Sequence, residues 1–401
     1  MPKRSETRAR NYTVEELKRL GWNTKHPNRG GHILEENEIF NFDERFKELL
    51  QLDKPDYLIF KNNKPIAIIE CKSDKTKFDE AVKDLKYYAN KLNKKYFKIN
   101  FLIAVSGSKE EGVIVRNYYF NGNQWEEIKA NNYPLTQIIK PDQIDSVDQN
   151  KKATVDIPVP SENDFYQIAE KINSIFHEAK VNKSDRAAYL GSIVLALSHG
   201  NIDTRPSVIL RQINANVEAA LEKHGKKELL NIFKLRGNSD KLKRKLPLIF
   251  HNLDKINIRA LMNTDADILG KFFETFLRYG NDAKELGIVF TPRHIVNFMI
   301  DLIDLKATDT VYDPTCGTGG FLVSAFMRMK KLAGNNTALL KQIKKNRILG
   351  VDSEESGKIP ALASINMIFR GDGRSNIFNE SCFTTKKSDK FKINKILLNP
   401  P

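Results

Sequence analysis

Cysteine is scarce in this 401-residue chain: Cys71, Cys316 and Cys382 lie too far apart for a zinc site and are too few for a disulfide framework. Such usage favours a reducing cytoplasm. No apolar run approaches membrane-spanning length, and the opening MPKRSETRAR lacks the apolar core of a signal peptide, so no membrane is expected. Internal repeats and low-complexity tracts are absent too. What remains is a globular chain of two or three domains, with 40% hydrophobic residues to build their cores. Acids are the minority charge, 50 against 65 basic residues, and the net charge of +15 points to a polyanionic partner. Charge alone would fit many basic proteins.

The most informative stretch is 311–322, VYDPTCGTGGFL, which reads as an apolar strand, an acid, a small-residue turn and the first turn of a helix. Gly317 and Gly319 permit a left-handed backbone or a close approach to a ligand that a Cβ would block. The turn delivers main-chain N–H groups at a helix N-terminus, where the dipole favours a carboxylate or phosphate. A Gly-rich turn alone is often only a connector. Downstream, 347–351 (RILGV) reads as a second strand ending in Asp352, placed to hydrogen-bond a ribose. Its distance from the glycines exceeds that of a simple dinucleotide fingerprint. Another apolar run, 393–398 (INKILL), opens directly into Asn399, Pro400 and Pro401.

In this order, DPTCGTGG, GVD and NPP resemble the S-adenosylmethionine-dependent N6-adenine DNA methyltransferases, especially the modification subunits of type I restriction systems. The resemblance begins near residue 267, includes GIVFTPRHIVNFMIDL and runs to residue 401. It implies an incomplete Rossmann-like sheet. It also implies S-adenosylmethionine as cofactor, with Phe290, Thr291 and Pro292 over its methionine end, Asp313, Pro314, Gly317 and Gly319 beside it, and Asp352 on the ribose. An acid near the adenine ring is expected around SNIFNESCF, at Glu380 or Ser381. The lone pair of adenine N6 is delocalised into the ring. Asn399 and Pro400 can improve it as a nucleophile by accepting its two hydrogens on the side-chain and backbone carbonyls, with Pro401 stiffening the turn. A sulfonium donor needs alignment rather than a metal, and the base must leave the stack.

In the N-terminal part, 6–20 shows near-helical spacing and stops at Gly21. After a second amphipathic helix at about 42–50 come Pro55, Asp56, a strand YLIF, a turn at Asn62 and Asn63, and a strand PIAIIECK. Glu70 and Lys72 are two apart and share a face, and the hairpin can bring Asp56 alongside. Two carboxylates and an ammonium at one hairpin end suit Mg²⁺ and its phosphate ligands, although a surface ion pair is the commoner outcome of such spacing.

The order helix, PD, ExK, helix at 78–92 and strand at 101–107 resembles the PD-(D/E)xK nuclease domain of type I restriction subunits and fused type IIG enzymes. That resemblance implies a Mg²⁺-dependent endonuclease in which Glu6, Asp56 and Glu70 hold the metal and Lys72 orients the nucleophile. Many members carry Gln-x-x-x-Tyr in the next helix. Here Tyr88 fits, whereas Asp84 is a departure.

The expected fold is therefore multi-domain α/β: a nuclease-like domain at 1–144, a linker at 145–164, an all-α connector at 165–286 and the N-terminal part of a methyltransferase at 287–401. The polar, aperiodic 145–164 carries two prolines. The connector includes a buried helix at 189–197 and a basic stretch at 223–245, whose charges equally fit DNA contact or a solvated face. Double-stranded DNA is the expected partner, with a specificity subunit or a C-terminal target-recognition domain. The strand INKILL is expected to be interior to its sheet, so the 401 residues alone are expected not to methylate DNA. Two alternatives stay open: a protein-glutamine methyltransferase sharing the NPP turn, and a non-catalytic DNA-binding remnant.

Overall fold

The computed structural model describes residues 4–108, 112–200, 202–203, 205–236, 240–261, 268–279, 291–372 and 376–400, the side chains of 4–6, 268–270 and 279 excepted. The chain forms two compact units, 1–159 with 247–264, and 160–246 with 265–401. No described helix is long and apolar enough to cross a membrane.

The first unit is built on a six-stranded mixed sheet, in order β1 (Ile33–Glu35), β2 (Tyr57–Lys61), β3 (Lys64–Lys72), β4 (Phe101–Ser108), β5 (Gly112–Phe120) and β6 (Trp125–Glu127). Only β3 and β4 run parallel, and the Phe78–Leu92 helix joins them. The expected hairpin is present, turning at Asn62 and Asn63, both at positive φ. Alternation along the strands separates two cores. Ile59, Ile69, Ile103 and Val105 pack with Ala9, Tyr12 and Leu17 of the first helix, Arg4–Arg19. Leu58, Phe60, Ile68 and Leu102 pack with Ala81, Leu85 and Ala89 of the Phe78–Leu92 helix.

The expected linker at 145–164 is only partly a linker. Its first residues complete the Pro141–Asn150 helix, which buries Ile144 and Val147, and Ala153 and Val155 join the core of this unit. Its last three residues open the next helix, Glu162–Glu178. The expected 165–286 connector is also divided, because 247–264 belongs with the first unit. There a short antiparallel pair, β7 (Lys129–Ala130) and β8 (Tyr133–Pro134), adjoins the returning chain. Asn257 Oδ1 accepts from the Thr136 N–H and hydroxyl at 3.1 and 2.9 Å, and Gln137 Nε2 donates to the Lys255 carbonyl at 2.5 Å.

In the second unit four parallel strands lie in the order β11 (Asn376–Asn379), β10 (Ile348–Asp352), β9 (Val311–Asp313), β12 (Lys395–Ile396). By chain order this is 3-2-1-4, the doubly-wound arrangement whose ligand crevice opens between the first and fourth strands, at their carboxyl ends. Val311 and Ile348 face the Arg293–Leu302 and Gly320–Ala333 helices, while Tyr312, Leu349 and Val351 pack on Phe378, Cys382, Phe391 and Ile393. Among the described residues the β12 strand pairs with β9 alone and stands last in the order, with Ile396 and Leu398 exposed. The helix Lys183–His199 is buried continuously from Arg186 to Leu197.

Candidate active sites

The Gly-rich turn forms as the residues require. Gly317 and Gly319 have φ of 52° and 84°, and Gly319 caps the Gly320–Ala333 helix. The two glycines nevertheless differ in purpose. A Cβ on Gly317 would point into open space, whereas one on Gly319 would meet the Ala363 Cβ at 3.3 Å. Gly317 borders the crevice, and Gly319 lets two helices pack closely.

Asp313 ends β9 almost wholly buried and accepts the Thr315 N–H at 3.1 Å. Burial, reinforced by the neighbouring Asp352 carboxylate, pushes its pKa up to about 7. Asp352 Oδ2 accepts the Gly317 N–H at 2.7 Å, so the acid expected on a ribose also ties the Gly-rich turn to β10. Asn399, just past β12, donates through Nδ2 to Thr291 Oγ1 at 3.2 Å. One cleft is therefore lined by Thr291, Asp313, Gly317 and Asn399, which lie far apart in sequence. Pro314 and Pro292 flank it in the chain, and Pro400 is exposed. Phe290 and Pro401 lie outside the described residues.

Glu380 and Ser381 do not line the cleft. Glu380 accepts from the Thr385 hydroxyl at 2.6 Å, and its N–H reaches the Asp352 carbonyl at 3.0 Å. Residues that sequence reasoning missed do line it. Asn366 donates to the Thr318 carbonyl at 3.0 Å, and Glu274 pairs with Arg293, accepting from Nε at 2.7 Å. No motif marks either residue, and only packing brings them there. Thr315 Oγ1, also at the cleft, is buried without a hydrogen-bond partner among the described residues. An orphaned hydroxyl, an open turn at Gly317 and a buried acid suit a polar ligand.

In the first unit Asp56 precedes β2, and the register that pairs Tyr57 with Ile69 sets it opposite Glu70. Asp56 accepts the Cys71 N–H at 2.6 Å and forms an ion pair with Arg10, which also reaches Glu36 at 2.7 Å. Burial raises the Asp56 pKa, though Arg10 pulls against it. Burial, then the Asp56 charge, pushes Glu70 up to about 8. Lys72 Nζ donates to Glu70 Oε1 at 3.0 Å and to Asp84 Oδ2 at 2.7 Å. Burial works against its charge, but those carboxylates outweigh it and raise its pKa. Glu70 Oε2 is buried and has no hydrogen-bond partner among the described residues. Asp56, Glu70 and Lys72 thus converge. The Glu6 side chain lies outside the described residues, and among those described no three His, Cys, Asp or Glu side chains form a group able to hold a metal.

Part of the basic stretch at 223–245 serves local ion pairs: Lys227 with Glu218 and Glu222, and Lys245 with Glu178 at 2.5 Å.

Residues 264–401 match the N-6 DNA methylase family, and residues 3–119 match the family described as the type I restriction enzyme R protein N terminus. The type II restriction enzyme and methyltransferase RM.BcgI of Heyndrickxia coagulans is 46% identical over 152 residues, which cover 37% of this chain and 23% of that protein. The EcoEI methylase subunit of a type I restriction enzyme from Escherichia coli is 30% identical over 123 residues, 31% of this chain and 24% of that one. The chain thus spans about a quarter of the length of these curated relatives. A solved modification subunit from Vibrio vulnificus YJ016 overlaps 62% of each chain at 19% identity, with a TM-score of 0.40, too weak a likeness to bear on the fold.

Proposed function

We propose, from the premise that this chain joins a type I restriction R-protein N-terminal domain to an N-6 DNA methylase domain, that it belongs to a restriction-modification enzyme of the cytoplasm. One unit methylates adenine N6 in double-stranded DNA and the other cuts DNA with Mg²⁺. The observation that carries the first half is the Asn399 to Thr291 hydrogen bond beside the Gly-rich turn. Because Nδ2 is engaged by Thr291, Oδ1 is left as the acceptor end of the amide and would take an N6 hydrogen from a flipped adenine. Pro400 would offer its carbonyl to the other hydrogen. S-adenosylmethionine, when bound, supplies a methyl group activated by its sulfonium charge. Around it Asp313, Thr315 and the Gly317 turn would hold the polar groups, and Asp352 would meet the ribose through the oxygen that Gly317 leaves.

For cleavage, the Glu70 Oε2 that Lys72 leaves unpartnered, with Asp56 alongside, would supply the carboxylate oxygens for a divalent cation, which needs only one or two carboxylates besides waters and phosphate. Bound Mg²⁺ would acidify a water and stabilise the leaving oxygen. Lys72 would orient the nucleophile and balance phosphate charge. DNA would be selected by a specificity subunit or a target-recognition domain.

The test is transfer of labelled methyl groups to duplex DNA and to protein, with a specificity partner present. Transfer to DNA that Asn399→Ala lowers by about 10²-fold or more is the expected result. Label on protein alone would replace the adenine reading with glutamine methylation. No transfer, together with no S-adenosylmethionine binding, would leave a non-catalytic DNA-binding remnant.

A further inference from the structure

Lys72 is anchored more firmly than one neighbouring acid would achieve. Glu70 Oε1 and Asp84 Oδ2 accept from its ammonium at 3.0 and 2.7 Å, and Glu80 Oε1 lies at 3.7 Å. Its side chain is 14% exposed, that of Asp84 33% and that of Glu80 53%. Glu70, by contrast, is engaged on one side only among the described residues, since Oε2 is buried and finds no hydrogen-bond partner there. An ammonium on a flexible four-carbon stem is a compact charge that can settle across both oxygens of a neighbouring carboxylate. Something has to hold it to one side. Asp84 can do so because its helix is fixed: Ala81, Leu85 and Ala89 of that helix are buried in the core with the strands.

We propose that Asp84 is a positioning residue, whose carboxylate draws the Lys72 ammonium away from Glu70 Oε2 and so keeps that oxygen open to a divalent cation shared with Asp56. The proposal rests on the nuclease reading above. Removing Asp84 leaves Glu70 as the one close anchor for Lys72, because Glu80 is farther away and more exposed. The ammonium then neutralises the carboxylate that a cation requires. Cation binding weakens although no ligand has been lost.

The experiment is calorimetric titration of the full chain with MgCl₂, without DNA, so that binding is read apart from cleavage. Asp84→Ala and the isosteric Asp84→Asn should each weaken Mg²⁺ binding by roughly tenfold, the scale of losing a residue that orients a metal ligand. In a Lys72→Met background Asp84→Ala should cost nothing further, because Asp84 acts through Lys72. Unchanged affinity in both single variants would overturn the proposal. So would an equal loss in both backgrounds, which would mean that the Asp84 carboxylate acts by its own charge. Should Asp84→Ala fail to fold, judged by circular dichroism, Asp84→Asn carries the comparison. A different pattern would sink the nuclease reading itself: no Mg²⁺ binding by the wild-type chain, or binding that Glu70→Gln leaves intact.

Discussion

Asp313 is a carboxyl that folding makes reluctant to ionise. It is 1% exposed and shares its surroundings with Asp352, and its pKa moves from 3.8 to about 7. A group with a raised native pKa binds its proton more tightly in the folded state. Its contribution to stability is therefore full below the unfolded value and is lost as pH rises through about 7. Asp313→Asn should match wild type near about pH 4 and exceed it at about pH 8 by on the order of 1–3 kcal/mol. Thermal melts at the two pH values check this, and a wild-type advantage at the higher one would show that the ionised carboxylate is stabilised. The two glycines of the turn make a second test. Both sit at positive φ, so alanine at either should cost about 1–2 kcal/mol. Gly319→Ala adds the Ala363 contact and should be the less stable variant. Gly317→Ala instead puts a methyl group at the cleft and should weaken S-adenosylmethionine binding more. Melting and ligand titration of both variants separate these effects, and the reverse ranking would refute the assignment of roles.

Among the elements, the returning segment 247–264 is the one that sequence pattern left in the wrong domain. Its helical spacing resembles that of the preceding helices, so periodicity could not tell which core it joins. What decides is pairing with 129–137, and Asn257 carries much of it. This buried residue sits at φ 47° and accepts the Thr136 N–H, whereas the Thr136 hydroxyl also has the Asp254 carbonyl in reach at 2.9 Å. Asn257→Ala should destabilise the first unit by roughly 1–3 kcal/mol through the unsatisfied Thr136 N–H. Denaturant unfolding followed by Trp22 and Trp125, both in that unit, is the measurement. An unchanged midpoint would mean that this segment is held by packing alone. Other elements were legible because local signals agreed. The hairpin at 57–72 had two apolar runs joined by an Asn-Asn turn, and the helix at 78–92 had a clear apolar face.

For the whole molecule, the excess of 15 positive charges predicts DNA binding governed by counterion release. Affinity for a non-cognate duplex should fall at least about tenfold between about 50 and 200 mM salt. Fluorescence anisotropy would show it, and a flat salt response would remove nucleic acid as the partner that the charge implies. The chain by itself determined much: the Gly-rich turn, the acid ending the next strand, the acid-acid-lysine hairpin and the strands that carry them. Each is a local pattern, set by side-chain alternation, glycine conformational freedom and fixed spacing. Tertiary structure decided what local pattern cannot encode. The 3-2-1-4 strand order brings Asn399 to Thr291, 108 residues away. Close packing also acts at Gly319, where a Cβ would meet that of Ala363, 44 residues on. Asp84, a departure when read along the chain, becomes the anchor of Lys72 once the Phe78–Leu92 helix lies across β3. Contacts between distant residues depend on which elements share a core, and that follows from burial summed over the fold rather than from any stretch of sequence.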